Sequence, residues 1–130
     1  MNLLLDTHIF IWMATEPARL GHNLAAILGN PNYQLFLSIA SIWEMQIKAN
    51  TGKFQLPLSV QDFVTTHRIL NNVHSLPILE EDIWMLASLP LHHRDPFDRL
   101  LIAQALNRNY TLVTVDPFFT NYQVRLMLAS

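Results

Sequence analysis

Ten acidic residues are spread over the 130-residue chain, and four of them stand where chemistry can gather. Asp6 closes the apolar run Leu3-Leu4-Leu5, and Asp116 follows Thr111-Leu112-Val113-Thr114-Val115. Glu44 ends Ser41-Ile42-Trp43-Glu44, and Asp98 ends Asp95-Pro96-Phe97-Asp98. In an open α/β sheet, the carboxyl ends of strands and the starts of the helices that follow share one edge, where sites form. Four carboxylates brought to that edge would repel, and some would be forced to take up a proton. A hard divalent cation removes the conflict, and oxygen-only ligation suits Mg²⁺ or Mn²⁺ rather than zinc. Mg²⁺ takes one or two carboxylates, keeps several waters and completes its shell with phosphate oxygens. Such a site can activate a water and stabilise charge on a phosphodiester in flight. The residue types thus point to metal-assisted phosphoryl hydrolysis.

Each acid also has a structural reading. Asp6 suits the N-cap of a following helix. Ser41 to Glu44 matches a capping box, S-x-x-E. Asp95-Pro96-Phe97-Asp98 matches a cap, a proline at the first helical position and an acid at the third. Asp116-Pro117 is a common turn opening. Capping does not, however, require acids from four segments to meet at one edge. Asp95 reads first as an N-cap and second as a fifth site acid. Thr7 and Thr114 neighbour site acids, and their hydroxyls can hold a metal-bound water; Thr114 also reads as an ordinary β-branched strand residue. Arg94 and Arg99 flank Asp98, suiting either a phosphate contact and charge balance or a surface pair. Lys48 lies one helical turn after Glu44, the spacing of an ion pair. His92 and His93 do not make a zinc site when only carboxylates accompany them; His93 reads as orienting a loop. His8 suits either the substrate side of the site or helix packing.

The elements that must position these residues alternate strand and helix. Strands are expected at 3–5, 33–37, 74–79, 111–115 and 123–127. Helices are expected at 7–14, 17–28, 40–50, 59–73, 80–89 and 96–107, with a short helical turn at 117–121. Ser59 reads as a cap with Asp62 three residues on, and Gly29-Asn30-Pro31 as a stop. Ile39, Trp43 and Ile47 share one helical face, and Trp12, Trp43 and Trp84 read as core or dimer packing rather than base stacking. This alternation implies a parallel sheet covered on both faces.

Length argues for one domain, residues 1–130. Hydrophobic residues make up 51% and charged residues 14%, which excludes a disordered chain. Eight basic and ten acidic residues leave a net charge of −2, so no net basic field attracts nucleic acid. There is no cysteine, which excludes a disulfide scaffold, a thiolate zinc site and a cysteine nucleophile, and fits a reducing compartment. The start does not read as a signal peptide, and no run reaches the length of a membrane span, so a cytoplasmic, membrane-free protein is expected. Glycines 21, 29 and 52 are scattered, unlike a phosphate-binding loop, and Asp6-Thr7-His8 lacks the D-x-D of haloacid-dehalogenase phosphatases. So few charges leave apolar surface for a partner.

The segments Leu4-Leu5-Asp6-Thr7-His8, Ser41-Ile42-Trp43-Glu44-Met45, 93–105 (H-R-D-P-F-D-R-L-L-I-A-Q-A) and Leu112-Val113-Thr114-Val115-Asp116 resemble the PIN-domain ribonucleases. The likeness is to VapC-type toxins of type II toxin–antitoxin pairs, and it covers essentially the whole chain in order. The resemblance implies a three-layer α/β/α fold with a mostly five-stranded parallel sheet. It implies a Mg²⁺- or Mn²⁺-dependent endoribonuclease with Asp6, Glu44 and Asp98 as main acids and Asp116 as a fourth that can act through water. It implies an RNA substrate, a homodimer, and a small antitoxin whose C-terminal segment crosses the groove with a basic side chain among the acids. Lys48 and Lys53 then become candidates for RNA backbone contact. An RNA-processing nuclease without a toxin role and a non-catalytic RNA- or protein-binding module share this fold; the intact acids count against the second.

Overall fold

The computed structural model describes residues 1–91 and 95–128, so the expectations for His92, His93 and Arg94 fall outside it. The described strands are β1 (Asn2–Leu5), β2 (Gln34–Ser38), β3 (Val73–Leu76), β4 (Thr111–Thr114) and β5 (Leu126–Leu128). They form one parallel five-stranded sheet in the order β3-β2-β1-β4-β5. The helices are α1 (Thr7–Thr15), α2 (His22–Leu28), α3 (Ile39–Asn50), α4 (Val60–Leu70), α5 (Glu80–Leu86) and α6 (Pro96–Arg108), with 3₁₀ turns at Pro17–Leu20 and Pro117–Asn121.

Buried parallel strands read as continuous apolar runs because both faces are covered. Leu3 and Leu5 pack one face of the sheet onto Ile9 and Phe10 of α1, Met45 of α3 and Phe63 of α4. Leu4 and Leu112 pack the other face onto Leu101, Ile102 and Ala105 of α6 and onto Phe119. The core is therefore split into two layers by the sheet. Within α6, every residue from Leu100 to Ala105 is buried, as expected of a helix enclosed on all sides. Chain order reverses at β1, with β2 and β3 to one side and β4 and β5 to the other. Leu5 is in register with Leu37 and with Val113, so the ends of β1, β2 and β4 lie abreast at that switch point.

Several boundaries differ from expectation for local reasons. The helix expected over 17–28 is two pieces, broken at Gly21 with φ 80°, a left-handed conformation that glycine adopts at little cost. The helix expected over 59–73 stops at Leu70, and Asn72 at φ 52° turns the chain into β3. Ser59 is its cap, accepting from the Asp62 N–H. The third strand ends at Leu76, before Pro77, which has no N–H for the ladder. Ser38, not Ser41, caps α3 by accepting from the Ala40 N–H, so Ser41-x-x-Glu44 is not a capping box. The buried side of α3 carries Ala40, Ser41, Glu44 and Met45, which turns Ile39, Trp43 and Ile47 outward. Trp43 is 57% and Trp84 67% exposed, so neither is a core residue. Among the described residues, no helix is long and apolar enough to cross a membrane.

One buried ion pair was not visible in the sequence. Asp82, with no exposed surface, lies 2.7 Å from Arg108 Nη1 of α6. Its carboxylate also accepts from Asn107 Nδ2 at 3.0 Å and from the Leu79 N–H at 2.9 Å. Burial acts to raise the Asp82 carboxyl, but the bonds from Arg108, Asn107 and the Leu79 N–H outweigh it and hold it below its ordinary 3.8. A lowered carboxylate contributes stability that is whole above the unfolded pKa and drains as pH falls through the folded one. Asp82→Asn should therefore flatten the loss of stability below about pH 4. Arg108→Met, which strands a buried carboxylate, should cost about 3 kcal/mol at neutral pH in urea denaturation. Equal acid slopes in wild type and Asp82→Asn would remove the pair from the acid response.

Candidate active site

The switch point carries a cleft of about 350 Å³ lined by Asp6, His8, Trp12, Glu44, Lys48, Asp95, Asp98, Val115 and Asp116. All four acids singled out from the sequence are present, and Asp95 joins them. Asp6 follows β1 directly and Asp116 follows β4 by two residues. Glu44 lies on the buried side of α3, and Asp98 in the first turn of α6. The capping and site roles coexist. Asp6 Oδ1 accepts from the Thr7 N–H at 2.7 Å, Asp95 Oδ1 from the Phe97 N–H at 2.9 Å, and Asp116 Oδ1 from the Phe118 N–H at 2.9 Å. Caps fix each side chain at a helix start, and every one of these starts opens on the same edge of the sheet.

Two short polar chains orient the central acids. The Asp116 N–H donates to Thr114 Oγ1 at 3.0 Å, and that hydroxyl donates to Asp6 Oδ2 at 2.7 Å. Thr7 Oγ1 lies 2.8 Å from Glu44 Oε1 and 2.9 Å from Ser41 Oγ. The carboxylate can only accept, so Thr7 spends its one hydrogen on Glu44, and Ser41 donates to Thr7 in turn. Lys48 Nζ donates to Glu44 Oε2 at 2.8 Å, the pair expected from the spacing. Thr7 and Thr114, read as holders of a metal-bound water, instead hold carboxylates. Thr114 is thereby more than a β-branched strand residue. In sequence Ser41 reads only as a cap; its place one helical turn before Glu44 was the available signal.

Arg99 is a correction. It does not line the cleft; its guanidinium donates to the Pro90 carbonyl at 2.9 Å and the Leu86 carbonyl at 3.3 Å, tying α6 to the segment after α5. His8 is exposed where it lines the cleft, and its ring lies tilted against Trp12 of the same helix at 6.3 Å. Trp12 carries Arg19 over its ring at 4.4 Å.

Burial sets the electrostatics, and like charge adds to it. Burial pushes the Asp98 carboxyl up to about 8, helped by the charges of Asp6, Asp95, Glu44 and Asp116. Burial also raises Asp6 above 3.8, although the Thr114 hydroxyl, His8 and the Thr7 N–H oppose it and Glu44 adds to it. Partial burial works against the Lys48 charge, but Glu44, Asp95 and Asp98 hold its ammonium above its ordinary value. Among the described residues, no three acids are drawn together into one ligand shell. The donor set nevertheless fits a hydrated hard cation, which takes only one or two carboxylates directly and relieves the repulsion. A carboxyl raised in the folded state contributes stability below its unfolded pKa, and this is lost as pH rises toward the folded value. In chelator at pH 8, Asp98→Asn should therefore raise the melting temperature by roughly 5 °C. The gain should vanish near pH 4; a lowered melting temperature at pH 8 would contradict this charge picture.

Comparison with known proteins identifies the fold and the family. Ribonuclease VapC22 of Mycobacterium tuberculosis is 27% identical over 116 residues, 88% of this chain and 87% of its own. A chain in the crystal structure of VapBC2 from Rickettsia felis, bound to a DNA fragment from their promoter, shares the fold at TM-score 0.77 and 18% identity, with 100% of each chain covered. VapBC-1 from nontypeable Haemophilus influenzae does so at TM-score 0.63 and 19% identity over 98% of each chain. The pattern described as PIN domain matches residues 3–124, a span that contains both central strands and every acid of the cleft, and the chain belongs to the PIN-domain family.

Proposed function

We propose that residues 1–130 form one PIN domain that acts as a divalent-metal-dependent endoribonuclease, the toxin of a type II toxin–antitoxin pair. The observation that carries this reading is the convergence of Asp6, Glu44, Asp98 and Asp116 on one cleft at the switch point. Asp6, Glu44 and Asp98 would be the main acids around Mg²⁺ or Mn²⁺, one or two of them binding it directly, with Asp116 acting through water. When bound, the ion supplies an activated water and neutralises charge on the phosphate. The chain's own residues prepare the site. Thr114 holds Asp6 and Thr7 holds Glu44, so neither carboxylate has to search for its position. Asp98 keeps its carboxyl proton at neutral pH until positive charge enters.

The likeness to ribonuclease VapC22 and to chains of VapBC complexes supports an RNA substrate and a small antitoxin partner. The outward row of Ile39, Trp43 and Ile47 supports association through α3, a homodimer among the possibilities it serves. Such an activity belongs in the cytoplasm, where RNA is abundant.

The test is incubation of purified protein with total RNA and Mn²⁺. Excess chelator and Asp98→Asn should each lower cleavage by about 10³-fold, several kcal/mol of charge stabilisation. Thr114→Val, which leaves the acids in place but releases Asp6, should lower it roughly 10–100-fold with the fold retained by circular dichroism. Cleavage that survives Asp98→Asn would overturn the site assignment.

A further inference from the structure

Lys48 stands inside the acid cleft rather than beside it. Its ammonium lines the same cavity as Asp6, Asp95, Asp98 and Asp116 and lies 2.8 Å from Glu44 Oε2. The other Glu44 oxygen is held at 2.8 Å by Thr7. Both oxygens are engaged, but the two partners respond differently to an incoming cation. The Thr7 hydroxyl donates to Oε1 and carries no net charge, so it does not compete. The ammonium does compete, because it and a divalent ion repel across the oxygen they would share. The Lys48 side chain is 40% exposed on a flexible four-carbon stem, whereas that of Glu44 is 5% exposed. Lys48 is therefore the partner able to leave, and Glu44 the one that stays.

We propose that Lys48 is the cleft's own counter-ion, which yields Glu44 to a divalent cation and then meets an RNA phosphate oxygen at the cleft mouth. The inference rests on the nuclease reading above and assigns Lys48 as a positioning residue within it. A fixed ammonium would do one of these jobs. A displaced one does both, because the charge lost by Glu44 becomes available to the substrate at the moment the site is loaded.

One substitution should then move two affinities in opposite directions. Mn²⁺ binding, read by electron paramagnetic resonance on the full chain, should tighten roughly five- to tenfold in Lys48→Met. Binding of a single-stranded phosphorothioate RNA pool in saturating Mn²⁺ should weaken, and its salt slope should fall by about 0.7, one phosphate contact. Lys48→Arg keeps the charge and should restore both values. A Lys48→Met protein that binds Mn²⁺ no more tightly than wild type overturns the inference. So does tighter Mn²⁺ binding with an unchanged salt slope, or a Lys48→Arg protein that behaves as Lys48→Met. A folded wild type and Lys48→Met that both fail to bind Mn²⁺ would instead sink the nuclease reading itself.

Discussion

Asp6, Glu44, Asp95, Asp98 and Asp116 line one cleft, and like charges at this spacing resist being brought together. Much of the architecture answers that repulsion. Asp6, beneath β1, is held through both oxygens, one by the Thr7 N–H and one by the Thr114 hydroxyl. Glu44 is held by Thr7 and by the one lysine of the cleft lining. Asp98, the carboxyl pushed furthest up, is raised first by its burial and then by the charges of the other acids. A site that strains against its own charge in this way is ready to take a cation, because the protein has already met the cost of assembling the ligands.

The rest of the fold supplies rigidity for that assembly. Thr114 can bond to Asp6 because β1 and β4 are adjacent and in register, Leu5 beside Val113, and Thr7 reaches Glu44 because β2, which leads into α3, lies on the other side of β1, Leu5 beside Leu37. The central strand β1 is apolar on both faces, so packing from two layers fixes the backbone that carries the site. At the far end of α6 the buried Asp82–Arg108 pair, with Arg99 bonding to the carbonyls of Leu86 at the end of α5 and of Pro90 beyond it, fastens α5 to the helix that delivers Asp98. The apolar row on α3 is exposed while Glu44 on the same helix is buried toward the cleft, so a partner surface and a site residue share one element.

The element order was legible because the signals were local. Leu3-Leu4-Leu5 before Asp6, the Asp95-Pro96 opening, Ser59 three residues before Asp62 and the stop at Gly29 each act within a few residues. The misjudged boundaries depended on single backbone conformations, such as Gly21 at φ 80° and Asn72 at φ 52°, which apolar periodicity does not report. The buried side of α3 was not legible for another reason. Ile39, Trp43 and Ile47 share one face as expected, but that face is exposed, and the core side holds Ser41 and Glu44, polar residues that bond to Thr7.

By itself the sequence determined which acids are available, that Asp6, Asp95 and Asp116 open helical turns and that Leu3-Leu4-Leu5 is buried on both faces, since these follow from residue type and short spacing. Tertiary structure decided how they are used. It turned Thr7 and Thr114 from water holders into carboxylate holders, turned Arg99 away from the cleft, and drew Lys48 into it. It also created the Asp82–Arg108 pair across 26 residues of chain. Each of these outcomes depends on the distance between side chains remote in sequence, and that distance exists only once the sheet has set its strand order.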